Sequence, residues 1–245
     1  MSATKYSYNS IAEAYNYILY EGADSDTRSW FMVQSPLPLA GIIILYLLFV
    51  IRIGPNFMAK RPPYSLSGAI MAINIFQIIA NTWLSMQGAS AIWYYYMLKI
   101  TDLLDTVIYV LRKKHAQLSF LHIYHHFGTL IVAWFAVKYY PGGGTIPIQL
   151  FNCLIHIPMF LYYTLAALGP SMTPYLWWKK YLTQIQIVQF FLMLGVNSYI
   201  VFSDCSFSKV MLYVHTPYTI SILILFLMFY KKSYKVGGKE LEKTE

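Results

Sequence analysis

The sequence predicts an all-α polytopic membrane protein with seven transmembrane helices. Of its 245 residues, 58% are hydrophobic and 11% are charged, whereas about 25% of the residues of a soluble domain are charged. The apolar runs are also long, and a helix needs about 20 apolar residues to cross a bilayer. Runs of this kind predict spans at residues 37–53, 64–85, 91–111, 116–136, 145–168, 181–203 and 209–230.

The lysines and arginines predict how these spans are oriented, because short cytosolic loops of membrane proteins are rich in both residues. Alternate loops and the C-terminal tail hold most of them, whereas the opposite side has only Lys5, Arg28, Lys138 and Lys209. The N-terminus is therefore expected to be lumenal and the C-terminus cytosolic. This gives a lumenal segment at 1–36, a membrane domain at 37–230 and a basic cytosolic tail at 231–245.

Several predicted spans contain polar side chains that are expensive to bury in a bilayer. At a rise of about 1.5 Å per residue, they lie roughly 5 to 18 Å from the cytosolic ends of four spans. The set consists of Lys99, Asp102, Asp105, His122, His125, His156, Gln184, Gln186 and Gln189. Ionisable residues inside a membrane usually mark a functional site. The sequence therefore predicts a site in the cytosolic half of the bilayer.

Helical spacing places many of these polar residues on shared faces. His122, His125 and His126 are related by three and four residues, and Asn152 and His156 lie four residues apart. In the third predicted span, Lys99 and Asp102 lie three residues apart, which predicts an ion pair between them within the helix. Each face is thus expected to point toward one common interior site.

Three classes of function use such clusters. A di-iron oxidase or desaturase is one, but that class uses about eight histidines in three boxes, some of them HxxxH, whereas this chain has 6 histidines and no HxxxH box besides residues 122–126. In the second class, a neutral imidazole acts directly as a nucleophile or as an acid and base. The third is a proton-coupled transporter, which would need polar residues in the lumenal halves of the spans. These halves are largely apolar or aromatic, which does not favour a water-filled path through the membrane.

Four motifs on four different spans carry a resemblance to a known family. They are KITDLLDT at 99–106, HIYHH at 122–126, NCLIHIPMFLYY at 152–163 and TQIQIVQF at 183–190. In this order they match KxxExxDT, HxxHH, NxxxHxxMYxYY and TxxQxxQF. The chain thus resembles the ELO family of very-long-chain fatty acid elongases, the membrane 3-ketoacyl-CoA synthases, over about residues 37–232. Two positions depart from the family pattern: Asp102 replaces a glutamate and Phe160 replaces a tyrosine.

The resemblance implies that a long-chain acyl-CoA and malonyl-CoA condense to a 3-oxoacyl-CoA, with release of CoA and CO2. No metal or redox cofactor is implied. It points to His125 as the nucleophile that accepts the acyl group, to His156 for decarboxylation or proton transfer, and to Asn152 as an amide donor to an oxyanion. His122 and His126 are expected to orient the site. Supporting residues are expected to be Lys99, Asp102, Asp105, Tyr162, Gln186 and Gln189.

The resemblance also implies partners and a location. The phosphates of CoA are expected to meet the cytosolic basic residues Arg112, Lys113, Lys114, Lys179 and Lys180. A multi-pass protein of the endoplasmic reticulum membrane is expected, with other enzymes of the elongation cycle as neighbours and no nucleic acid partner.

Other residues of these spans receive a different interpretation. His115 and His215 lie at or near span ends, where placement at the membrane interface is expected. The run from Trp93 to Tyr96 predicts a lumenal aromatic belt. Cys153 is an alternative acyl carrier, because soluble condensing enzymes use cysteine and this one lies three residues before His156. The family motif, however, requires no cysteine there.

Overall fold

A computed structural model describes Glu13 and residues 16–87, 91–202 and 209–236. The outer parts of the predicted terminal segments, 1–12 and 237–245, lie outside the described residues. Every regular element in the described ranges is helical, which confirms the all-α prediction. The main helices are α1 (Leu37–Met58), α2 (Ser67–Gln87), α3 (Ile92–Thr101), α4 (Leu103–Leu111), α5 (Phe120–Tyr139), α6 (Thr145–Ala167), α7 (Lys179–Phe202) and α8 (Lys209–Tyr230).

Shorter helical turns flank these helices at Tyr17–Glu21, Pro170–Tyr175 and Lys231–Val236. Within the described residues, 6 helical segments are long and apolar enough to cross a membrane. They are Leu37–Met58, Ser67–Gln87, Phe120–Tyr139, Thr145–Ala167, Lys179–Phe202 and Leu212–Tyr234. Large apolar side chains such as Ile44, Phe191 and Met228 are exposed on these segments, as expected of helices that face lipid. Six of the seven predicted spans are therefore found as single long helices.

The predicted span at 91–111 forms two helices instead, α3 of 10 residues and α4 of 9 residues, separated at Asp102. The Asp102 N–H still donates to the Leu98 carbonyl at 3.0 Å, but the Asp105 N–H donates to the Asp102 carbonyl at 3.3 Å. A bond across three residues is the pattern of a tight 3₁₀ turn. The seven-span prediction thus differs from the structure here because the helix tightens around one buried aspartate.

The helices pack so that α3 and α4 reach most of their neighbours. Contacts join α1 to α5, α5 to α8, α8 to α7, α7 to α6, and α6 to α2. Helices α3 and α4 contact both ends of this series, α1 and α2, as well as α5 and α6. Half of the side chains of α3 are buried, including Tyr95, Tyr96 and Lys99. These three polar residues therefore face other helices of the bundle.

The segment before α1 is fastened to the C-terminal end of α5. Thr27 Oγ1 donates to the Val137 carbonyl at 2.6 Å. The Lys138 ammonium, which is 0% exposed, donates to the carbonyls of Val33 at 3.0 Å and Gln34 at 3.1 Å. This segment and the end of α5 thus lie on the same side of the bundle. The lysine thus satisfies two backbone carbonyls of the segment that precedes α1.

Candidate active site

Helix α5 presents its three histidines from its first two turns. Ser119 caps the helix, since its hydroxyl accepts the His122 N–H at 3.2 Å. The His122 and His126 rings lie 4.2 Å apart, and the His125 and His126 rings 5.6 Å apart, centre to centre. All three imidazoles are half-buried. The predicted histidine stripe therefore exists as one cluster of rings.

His122 anchors this stripe to α4 and α1. Its Nε2 is hydrogen-bonded to the hydroxyl of Thr106 at 2.8 Å. Thr106 in turn forms a hydrogen bond of 3.0 Å with the Tyr46 hydroxyl. Thr106, the last residue of the KITDLLDT motif, thus binds His122, the first residue of HIYHH. This contact fixes the position of the α5 histidines relative to α4.

His125 faces an internal cavity that lies between α3, α5, α6, α7 and α8. The cavity wall also includes Tyr95, Asn152, Gln189 and Tyr218. The Tyr218 hydroxyl donates to the His125 carbonyl at 3.1 Å, which ties the backbone of this histidine to α8. Within the described residues, His125 is the member of the α5 stripe that lines this cavity.

A second polar group surrounds the turn at Asp102. Lys99 Nζ lies 2.9 Å from Asp102 Oδ2, which confirms the predicted ion pair, and the pair does not include Asp105. Gln77 of α2 donates from Nε2 to the other carboxylate oxygen, Oδ1, at 2.7 Å. The lysine, the aspartate and the glutamine are all buried. Both oxygens of the Asp102 carboxylate are therefore held, each by a different helix.

A chain of polar contacts leads from this ion pair to the cavity. Lys99 Nζ lies 3.5 Å from His156 Nδ1, and the other ring nitrogen of His156 lies 3.3 Å from the amide nitrogen of Asn152. The Tyr95 hydroxyl donates to Asn152 Oδ1 at 3.0 Å. Asn152 and Tyr95 line the cavity. The ion pair is thus connected through His156 and Asn152 to the cavity that His125 faces.

The remaining predicted residues divide into those near the cavity and those elsewhere. Gln189 lines it, but Gln186 donates to the Met159 sulfur at 3.5 Å and Tyr162 packs against Trp178 with ring centres 5.3 Å apart. Phe160 is buried with its ring centre 5.6 Å from that of His156.

The predicted CoA-binding residues lie at the ends of two helices. Arg112 and Lys113 follow α4 and are half-buried, whereas Lys114 and the first α7 residues, Lys179 and Lys180, are exposed.

The interface prediction for His215 is wrong. Its side chain is 4% exposed and lines the same cavity as His125. Its Nδ1 lies 2.9 Å from the Asn197 amide nitrogen, and the Thr219 hydroxyl lies 3.3 Å from its Nε2. Because α7 and α8 supply polar partners inside the bundle, the imidazole is accommodated there rather than at the membrane surface. The spacing of four residues between His215 and Thr219 was the available signal.

The cavity wall is mostly apolar but includes polar side chains near the start of α6. Besides apolar residues such as Val132 and Ile148, its wall includes Thr145 and Gln149 from the first turns of α6. Gln149 is 4% exposed. The chamber is thus largely apolar, with a few polar groups in its wall.

Two alternative chemistries can be compared with this geometry. Among the described residues, no three His, Cys, Asp or Glu side chains are grouped so that they could hold a metal ion. Cys153 is 0% exposed and packs in the apolar core, whereas its neighbour Asn152 lines the cavity. The cysteine sulfur is therefore less accessible from the cavity than the His125 imidazole.

Comparison with known proteins agrees with the motifs. The model of the ELO, GNS1/SUR4 family matches residues 31–92 and 85–242. Very long chain fatty acid elongase 4 of Homo sapiens is 34% identical over 89% of this chain and 77% of its own length. Elongase 5 of Tachysurus fulvidraco is 35% identical, covering 90% and 83%, and elongase 7 of Rattus norvegicus is 34% identical, covering 91% and 89%. The chain therefore belongs to the ELO family of fatty acid elongases, the condensing enzymes of fatty acid elongation.

Proposed function

We propose that this elongase joins a long-chain acyl-CoA to malonyl-CoA through an acyl group carried on His125. The observation that supports the proposal is the position of His125, whose imidazole faces the cavity. A neutral imidazole needs no prior deprotonation, so one ring nitrogen can attack the thioester carbon directly. The new N–C bond forms as the C–S bond breaks, and the CoA thiolate leaves and takes up a proton.

In the second half of the reaction, malonyl-CoA supplies the carbon nucleophile. Its C–CO2 bond breaks, CO2 leaves, and the electron pair remains on the carbon next to the thioester. That carbon attacks the acyl-imidazole carbonyl, and the His125 nitrogen leaves to give the 3-oxoacyl-CoA. The amide of Asn152 is a suitable donor to the oxygen that becomes negative in this step, because it lines the same cavity.

His156 and the Lys99–Asp102 pair act in this second half. An ammonium group only donates hydrogen bonds, so His156 Nδ1 is the acceptor in its contact with Lys99. The neutral ring then carries its proton on Nε2, which lies 3.3 Å from the Asn152 amide nitrogen. Because both groups are donors, no hydrogen bond joins them in this tautomer, and each is free to donate to a bound substrate. His156 can thus donate a proton or a hydrogen bond beside Asn152, while His122 and His126 keep the His125 ring in place.

In this proposal, CoA and the acyl chain lie on opposite sides of these histidines. Helices α3 and α4 together form the seventh span, so that the N-terminus is lumenal and the C-terminus cytosolic. The basic residues after α4 and at the start of α7, Arg112, Lys113, Lys114, Lys179 and Lys180, then face the cytosol and attract the CoA phosphates. The acyl tail lies in the cavity beyond His125. The membrane is that of the endoplasmic reticulum, with the other elongation enzymes as neighbours.

The test uses purified protein and a long-chain acyl-CoA without malonyl-CoA. The expected result is release of up to one equivalent of CoA and a gain of the acyl mass on the peptide that contains His125. His125→Ala should lose the adduct while retaining the thermal unfolding midpoint of the wild type. Cys153→Ala is the matched control and should keep the adduct.

Three outcomes would contradict the proposal. Loss of the adduct only in Cys153→Ala would assign the nucleophile to the cysteine. Condensation at the wild-type rate by folded His125→Ala would remove His125 from the chemistry. An active enzyme that releases no CoA before malonyl-CoA is added would use a ternary complex instead.

A further inference from the structure

Helix α2 carries a glutamine that none of the four motifs contains, yet it contacts the centre of the polar group. Gln77 is 0% exposed, and its Nε2 donates to Asp102 Oδ1 at 2.7 Å. The same nitrogen lies 3.0 Å from the Thr101 hydroxyl oxygen. The Asn81 amide nitrogen donates to the Gln77 backbone carbonyl at 2.8 Å and lies 3.4 Å from the Gln77 side-chain oxygen, Oε1. The amide of Gln77 is therefore fixed in direction, toward the turn between α3 and α4.

The position of this contact matters because of what Asp102 holds. Its second oxygen, Oδ2, accepts from Lys99 at 2.9 Å, and the same ammonium lies 3.5 Å from His156. A carboxylate with one free oxygen could rotate about its side-chain torsion, and the lysine would follow it. With Oδ1 fixed by Gln77, Oδ2 is aimed at Lys99 and the ammonium is aimed at His156.

We infer that Gln77 is a positioning residue for condensation, which acts through Asp102 and Lys99 on His156. This inference rests on the proposed role of His156 in the second half of the reaction. Gln77 does not line the cavity among the described residues, so it affects the reacting atoms only through its partners. It also connects α2, which contributes none of the predicted site residues, to the chemistry.

The short side chain of Asp102 makes this contact more important. Aspartate has one methylene fewer than glutamate, so its carboxylate stays close to its own helix at the tight turn. Lys99 binds Oδ2, so the donor to Oδ1 comes from a neighbouring helix. The long side chain of Gln77 spans the distance from α2 to this oxygen. Without the amide, Oδ1 would be a buried charged acceptor with no donor, which is costly in a bilayer.

The test compares two variants of α2 with equal changes in polarity. Gln77→Met removes the amide at nearly constant side-chain length. Asn74→Leu is the matched control, since Asn74 is buried on the same helix and its amide nitrogen has no partner in the described ranges. For each variant, the His125 adduct is measured without malonyl-CoA, and kcat and KM are measured for the complete reaction.

Gln77→Met should form the adduct in the wild-type amount but turn over about 10- to 100-fold more slowly, since small misplacements cost about that much. KM for the acyl-CoA should stay within about twofold, because the cavity is intact. In an Asp102→Asn background, the same substitution should change kcat by no more than about twofold, because the uncharged side chain no longer holds the Lys99 ammonium and Gln77 can no longer direct it. Asn74→Leu should turn over at the wild-type rate.

The outcomes separate this inference from the proposed function. If His156→Ala is inactive but Gln77→Met turns over like Asn74→Leu, the inference is wrong and the role of His156 stands. If Gln77→Met loses the adduct, or if its effect adds fully to that of Asp102→Asn, the glutamine acts on folding or elsewhere and the inference is also wrong. If folded His156→Ala retains full turnover, the proposed second half-reaction fails, and the inference fails with it.

Discussion

Replacement of Gly128 by alanine tests how closely helix α8 supports the catalytic histidines. Gly128 is buried on α5, and a Cβ at this position would collide with Cε2 of Tyr218 and lie 3.2 Å from two further ring carbons. The ring cannot swing away freely, because its hydroxyl is bonded to Thr129 Oγ1 at 2.6 Å and to the His125 carbonyl at 3.1 Å. The added methyl group must therefore push α5 and α8 apart or break these hydrogen bonds.

The expected cost follows from these contacts. Overpacking of a buried site costs about 1–3 kcal/mol. For a chain of this size, this corresponds to a fall of about 2–12 °C in the thermal unfolding midpoint. Turnover should fall as well, because Tyr218 forms part of the cavity wall and contacts the backbone of His125. Both effects should appear in purified protein, measured by thermal unfolding in detergent and by incorporation of labelled malonyl-CoA.

Gly195→Ala is the control, because no atom lies within 4 Å of a Cβ at that position on α7. Alanine favours a helix over glycine by about 1 kcal/mol, so this variant should be unchanged or slightly more stable. The double variant Gly128→Ala with Tyr218→Leu should recover part of the lost stability, since the smaller side chain vacates the space. If Gly128→Ala and Gly195→Ala behave alike in both assays, the packing described between α5 and α8 is wrong.

Three further outcomes are expected. Lys138→Met should lower the unfolding midpoint, because the carbonyls of Val33 and Gln34 each lose a charged donor worth about 1–3 kcal/mol; an unchanged midpoint would contradict this. Asn74→Leu should leave the midpoint at or above that of the wild type, because its buried amide nitrogen lacks a partner in the described ranges, whereas Asn152→Leu should lower it, because it loses the hydrogen bond from Tyr95; the reverse order would refute the reasoning. Purified protein should contain no stoichiometric iron and should be insensitive to chelators, since its 6 histidines are too few for the three histidine boxes of a di-iron site; elemental analysis showing a di-iron content would indicate an oxidase or desaturase.

The parts of the site that depend on a single helix could be predicted from the sequence. The Lys99–Asp102 pair and the contact between the His122 and His126 rings both follow from residues spaced three or four apart. Such spacing fixes which side chains meet before any tertiary packing is known. Hydropathy likewise located most of the membrane helices, with ends that differ by a few residues. For example, α5 begins at Phe120 rather than 116 because Ser119 caps it.

The parts that depend on contacts between helices could not be predicted in the same way. Asn74, Gln77 and Asn81 lie on one face of α2 at intervals of three and four residues, so the sequence contains a polar stripe. Nothing in that spacing reveals that the stripe meets Asp102. His215 was misplaced for a similar reason, since its partner Asn197 lies on another helix. Counting residues from the end of a span gives the depth of a side chain in the membrane. It does not give the residue that this side chain contacts on a neighbouring helix.

The turn at Asp102 explains why the least regular helix of the bundle is also central to the site. A continuous helix through 91–111 would satisfy its backbone without help, as lipid requires. The structure instead places a buried carboxylate at a tight turn and surrounds it with Lys99 and Gln77. Burial of such a pair contributes little net stability and often costs some. The pair is therefore better explained by its position than by its stability. It directs the Lys99 ammonium at His156, beside the cavity that His125 faces.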